Sequence, residues 1–198
     1  MSTVELTHVG GPTVLLEVDG WRILTDPTFD APGRTYSFGW GTSSTKTTGP
    51  ALRPDDLGAL DVVLLTHDQH ADNLDDAGRT LLPRAGEVLT TAAGARRLGH
   101  GRGLRGWDTV ELTAPGRPTL SVTATPCRHG PPASRPVAGD VVGFSLAWRG
   151  QEHGEVWISG DTVLHRGLRQ VARGSTSAPR SCTSARSASP SPARCATR

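Results

Sequence analysis

At 198 residues the chain has room for one domain with a substantial core and is short for two. A hydrophobic content of 35% with 24 Gly and 15 Pro describes a turn-rich protein of many short elements, because both residues interrupt helices and strands. The formal charge of +2 argues no nucleic-acid role: residues 174–198 hold four Arg and no acid, which leaves 17 basic residues (21 − 4) against 19 acidic ones in the remainder.

No apolar run approaches the roughly 18 residues of a membrane span, and Met1-Ser2-Thr3-Val4-Glu5 has no signal-peptide character. The expectation is therefore a cytoplasmic protein with no membrane partner. Cys127, Cys182 and Cys195 form an odd set without CxxC spacing, so a metal, if bound, is held by His and carboxylates.

In chain order, Thr13–Val18 and Trp21–Asp26 are two β-rich runs joined by Asp19-Gly20, a two-residue hairpin signal. Residues 27–60 are rich in Gly, Pro, Ser and Thr and read as one long loop of the kind that borders function. Its Tyr36, Phe38 and Trp40 are read as loop anchors, with walling a pocket as the alternative. Asp61–Thr66 is a continuous apolar run, as for a strand buried on both faces, and it leads directly into His67-Asp68-Gln69-His70-Ala71-Asp72-Asn73.

Beyond that segment the pattern predicts a helix over 74–82, a strand over 87–91, a helix over 92–98 and strands over 120–125, 141–148 and 155–159. A helix over 164–172 closes the series. Strands with interleaved helices indicate an α+β or α/β layered domain over residues 1–173. Residues 174–198 contain no Val, Ile, Leu, Met or aromatic residue and cannot offset their chain entropy by burial, so disorder is expected. The abrupt change in composition resembles translation of a GC-rich gene in a shifted frame.

His67, His70 and His129 follow predicted strands, as do Asp68, Asp72 and Asp161, so their side chains can converge at one sheet edge. One histidine in such a place is usually a hydrogen-bonded surface or core residue, whereas three with three aspartates point to a metal. Taken alone, Gly160-Asp161-Thr162 reads as a helix cap. His8, His100, His153 and His165 receive no role.

The ordered set His67–Asn73, Thr125-Pro126-Cys127-Arg128-His129-Gly130-Pro131 and Ser159-Gly160-Asp161-Thr162 resembles the metallo-β-lactamase superfamily over residues 4–173. Thr7–Glu17 and Leu24-Thr25-Asp26-Pro27 look like its L-ascorbate-6-phosphate lactonase-like branch. The resemblance implies a four-layer αββα sandwich of the α+β class, with the second half of the fold incomplete because a final metal-binding His is replaced by the tail. The family motif His-x-His-x-Asp-His matches imperfectly. Read from His67, its second His falls on Gln69. Read from Asp68, the register preferred, it becomes Asp68-x-His70-x-Asp72-Asn73, with His67 an added ligand or a supporting residue.

The resemblance thus implies His67, Asp68, His70, Asp72, His129 and Asp161 as metal ligands and Asp72 as general base. One or two ions of Zn²⁺ or Mn²⁺ would generate hydroxide at neutral pH to attack a small ester-like substrate: a lactone, thioester or phosphoester. A catalytically inactive, truncated family member is the second reading. A binding module using the 27–60 loop ranks last, because it leaves the clustered His and Asp unexplained.

Overall fold

The computed structural model describes residues 3–39, 42–132, 134–152 and 154–172; the tail expected to be disordered lies outside them. Strands β1 (Val4–Gly10), β2 (Thr13–Val18) and β3 (Trp21–Thr25) form an antiparallel meander. The β2–β3 turn is the hairpin predicted from sequence, with Asp19 and Gly20 at φ 44° and 86°, both positive as a type I′ turn demands.

The stretch read as a loop contains a small hairpin of its own, β4 (Thr35–Gly39) and β5 (Thr42–Thr45), and a 3-10 turn at Pro54–Leu57. Tyr36 and Phe38 alternate in β4, but its partner β5, Thr42–Thr45, is polar throughout, so no second apolar stripe marks a hairpin. Strand β6 (Leu60–Leu64) pairs in parallel with β3, helix α1 (Asp76–Leu81) follows, and β7 (Ala85–Thr91) pairs in parallel with β6. Helix α2 (Ala92–Leu98) is capped by Thr91, whose hydroxyl accepts from Gly94 N, and leads to β8 (Arg102–Leu104).

These strands form one six-stranded sheet in the order β1-β2-β3-β6-β7-β8. A second, four-stranded antiparallel sheet has the order β12-β11-β10-β9, from β9 (Thr109–Leu112), β10 (Leu120–Pro126), β11 (Val142–Trp148) and β12 (Val156–Ile158). Between β10 and β11 lies the single turn α3 (Arg135–Ala138), and α4 (Arg166–Ala172) ends the described chain. Strands β1, β8 and β9 are absent from the sequence-based reading. The last two are only three and four residues long, too short for a periodic signal.

The sheets pack face to face. Val62 and Leu64 of β6, with Ile23 and Leu89, meet Leu120, Val122, Phe144 and Leu146 of the second sheet. The opposite face of the first sheet, with Leu24 and Val63, is covered by Leu74, Leu81 and Leu82 around α1. Each face of β6 is therefore buried, which is why its sequence is apolar without alternation. No helix among the described residues is long and apolar enough to cross a membrane.

Strand direction decides where the polar residues go. Strands β10 and β12 both run antiparallel to β11, so they run parallel to one another and both end at the same rim. The end of β6 reaches that rim as well: Val142 N, at the start of β11, donates to Thr66 O at 3.1 Å.

Candidate metal centre

Three chain segments meet at this rim. His67 and His70 follow β6, His129 follows β10, and Asp161 follows β12; one donor atom from each lies within 4.8 Å of the other three. His67 Nε2 is 3.3 Å from His70 Nδ1 and 3.9 Å from Asp161 Oδ2, and His129 Nε2 is 3.5 Å from the same oxygen. The three imidazoles meet edge to face, with centroids 4.8–5.6 Å apart.

This set fits a cation. Ligands at 2.0–2.1 Å on a tetrahedral ion stand about 3.4 Å from one another; the pairs at 3.3 and 3.5 Å lie at that spacing and the pair at 3.9 Å is somewhat wider. The protonation state fits as well: burial first, then the neighbouring His70 and His129, pushes His67 down to about 3, so its ring is neutral. Burial and His129 likewise hold His70 below the usual imidazole range.

The orientation of His67 is set behind the site. Thr66 N and Oγ1 both donate to the Asp26 carboxylate, at 2.7 and 2.9 Å, and Thr66 Oγ1 lies 3.0 Å from His67 Nδ1. The Thr66 hydroxyl donates to Asp26, which leaves Thr66 Oγ1 to accept from His67 Nδ1–H. The lone pair of His67 then lies on Nε2, which faces the cluster. Asp26 holds this position with φ of 29°, a strained value for a residue with a side chain. Its burial outweighs the Thr66 hydrogen bonds and raises its pKa to about 7.

The two ungapped registers of the His67–Asn73 segment each keep only some of its polar residues in the site, and the fold resolves them by local geometry. Two residues, not one, separate His67 from His70, and both rings join the cluster. The intervening side chains turn away from the cluster. Asp68 binds Arg97 through both oxygens, at 2.8 and 2.5 Å, and stands outside the four-donor group. Gln69 donates to Ala138 O and Asp140 O at 2.9 and 3.0 Å, tying this segment to α3.

Asp72 also lies outside the four-donor group but beside it, lining a cleft of about 480 Å³ with Asp161, Thr28, Tyr36, Ser44 and Thr47. Its Oδ1 is buried without a hydrogen-bond partner, and burial followed by the charge of Asp161 raises its pKa. The long loop thus does border the site. Tyr36 anchors it through Asp30, at 3.2 Å, while also lining the cleft; Trp40 lies outside the described residues. His165 packs toward Gly167 rather than the cluster, and His153 lies outside the described residues.

A second cleft, of about 430 Å³, opens on the His129 side and is lined by Arg96, Arg105, Arg128 and Arg135. Sequence reasoning passed over these arginines, which lie on four separate segments and share no motif.

Comparison with known proteins agrees with this fold. Residues 21–175 match the family model described as the beta-lactamase superfamily domain. No curated protein matches the chain. Among solved structures, an isothiocyanate hydrolase from Delia radicum gut bacteria superposes with a TM-score of 0.65 at 23% identity, over 85% of this chain and 67% of that one. A possible metal-dependent hydrolase from Veillonella parvula gives 0.69 at 20% identity, over 88% and 69%. Igni18, a metallo hydrolase from the archaeon Ignicoccus hospitalis, gives 0.61 at 22%, over 86% and 66%. The chain thus spans about two thirds of the length of these structures, whose likeness is one of fold.

Proposed function

The chain belongs to the β-lactamase superfamily, and on that premise we propose that it is a metal-dependent hydrolase of a small ester-like substrate. The observation that carries this reading is the convergence of His67, His70, His129 and Asp161 from three segments onto one point at the spacing of metal ligands. Three imidazole nitrogens and one carboxylate oxygen suit a single Zn²⁺, with Mn²⁺ the competitor. Asp68, engaged by Arg97, takes no part in this ligand set.

A bound divalent cation supplies Lewis acidity, which acidifies water to a pKa near about 7 and polarises a carbonyl or phosphoryl oxygen. The chain's own residues do the rest. Asp72, raised in pKa and with Oδ1 free of hydrogen bonds, accepts the proton of the attacking water and passes it to the leaving group. Asp26 and Thr66 hold the tautomer of His67, and Tyr36 fixes the hydroxyl-rich loop that covers one side of the site.

Substrates of the lactone, thioester and phosphoester classes all suit this chemistry, and the Thr7–Glu17 and Leu24–Pro27 segments favour the L-ascorbate-6-phosphate lactonase-like branch. The reading describes a cytoplasmic enzyme. Its test is metal analysis of the purified chain after equilibration with Zn²⁺ and with Mn²⁺, followed by hydrolysis assays on esters of the three classes. One equivalent of metal, lost in His70→Ala, together with metal-dependent turnover supports the reading. Absence of bound metal overturns it, and one equivalent without turnover assigns an inactive member of the family.

A further inference from the structure

We propose that the cleft on the His129 side is an oxyanion-binding subsite and that the substrate carries a phosphate or carboxylate group seated there. The use of this subsite by a substrate rests on the hydrolase reading; its binding of an oxyanion does not.

Four arginines and one carboxylate, Asp140, line the cleft. Arg135 makes the direct ion pair with Asp140, its Nη2 3.1 Å from Oδ2, while Arg96 acts on the same carboxylate only at longer range. Arg96, Arg105 and Arg128 then have no carboxylate within 4 Å and no side-chain hydrogen bond among the described residues. Several guanidinium groups elsewhere have a carboxylate partner: Arg22 with Glu17, Arg53 with Asp56, Arg97 with Asp68, Arg102 with Glu87, Arg117 with Asp61. Three unpaired cations around one concavity repel one another, and an anion between them relieves that repulsion.

Arg128 is built for such a ligand. Its Nε is buried without an acceptor, an arrangement that is unfavourable when nothing fills it. Its backbone is pinned on both sides: Arg128 N donates to Thr162 Oγ1 at 3.0 Å, and Arg128 O accepts from Val163 N at 2.9 Å. The residue is thereby tied both to His129, its neighbour, and to the segment that carries Asp161. A planar guanidinium so placed offers two parallel N–H donors to a phosphate or carboxylate.

The other side of the metal centre has the opposite character, since the cleft there is lined by Asp72 and Asp161 with neutral hydroxyls, and its Lys46 lies 3.3 Å from buried Asp75. A substrate with one anionic end is admitted in one orientation, with its charge toward the arginines and its other end toward Asp72.

The test uses inorganic phosphate and, separately, acetate, titrated by calorimetry at low ionic strength into the full chain kept free of metal with a chelator, so that the cation cannot itself hold the anion. Saturable binding of at least one of them is expected, weakened roughly tenfold in Arg128→Gln and less in Arg96→Gln. The tighter ligand tells phosphate from carboxylate. Should Arg128→Gln fail to fold, Arg96→Gln on the exposed surface of α2 carries the same comparison. Absence of binding by the unaltered chain, or binding undiminished in a folded variant, overturns the proposal. Metal stoichiometry, measured on separate samples, fails only if the hydrolase reading fails.

Discussion

A Cβ atom placed on Gly160 would stand 2.8 Å from Cβ of Thr66, closer than side chains pack, so the segment bearing Asp161 reaches the segment bearing His67 only because residue 160 is glycine. The position also has φ of 58°, which adds a conformational penalty for any other residue. The arrangement of the donor group depends on this close approach: Asp161 Oδ2 lies 3.9 Å from His67 Nε2 across that contact.

Gly160→Ala is accordingly expected to keep the fold, at a stability cost of about 1–3 kcal/mol, while lowering metal affinity by at least roughly tenfold. Circular dichroism together with metal titration checks this. Unchanged affinity would mean that the Asp161 segment does not depend on the close approach.

Thr66→Val keeps the shape of the side chain and removes its hydroxyl, leaving His67 Nδ1 without its partner and Asp26 with one donor fewer. Metal affinity should fall by about 10–100-fold, the usual effect of deleting a group that orients a metal-bound histidine. Thr66→Ser, which keeps the hydroxyl, should restore most of it.

Asp26 supplies a pH dependence. Its folded pKa, raised by burial to about 7, exceeds the value of 3.8 for a free side chain, so the folded state holds the proton more tightly. Its contribution to stability is fully present below pH 3.8 and is lost as the pH rises through about 7. Denaturant melts of chelator-treated protein between pH 4 and pH 8 should show this decline, by a few kcal/mol at about 1.4 kcal/mol per pKa unit, and Asp26→Asn should flatten it. An equal slope in both proteins would refute the assignment.

Asp68→Asn separates a metal ligand from an ion-pair partner. Asp68 is buried against Arg97, which it meets through both oxygens, and it lies outside the four-donor group. The expected result is a loss of about 1–2 kcal/mol in stability with metal stoichiometry unchanged. Loss of metal without loss of stability would instead make Asp68 a ligand.

The sequence alone determined the type of element around the site and most of the residues that converge there. The Asp19-Gly20 turn, the doubly buried β6 and the helices at Asp76–Leu81 and Ala92–Leu98 were legible because each depends on local pattern: turn chemistry, apolar runs and caps. His67, His70, His129 and Asp161 were legible because His and Asp at the ends of strands are few and chemically distinctive.

Which of the polar residues in His67–Asn73 turn inward was left to tertiary structure. A motif read without gaps assigns directions by spacing, whereas in the folded chain Arg97 on α2 draws Asp68 away and the backbone oxygens of residues 138 and 140 draw Gln69 away, leaving the two histidines together. The same holds for the β4–β5 hairpin, whose second strand is wholly polar, and for the arginine cleft. Arg96, Arg105 and Arg128 belong to three segments that carry no shared pattern, and only the packing of two sheets, which brings their ends to one rim, makes them neighbours.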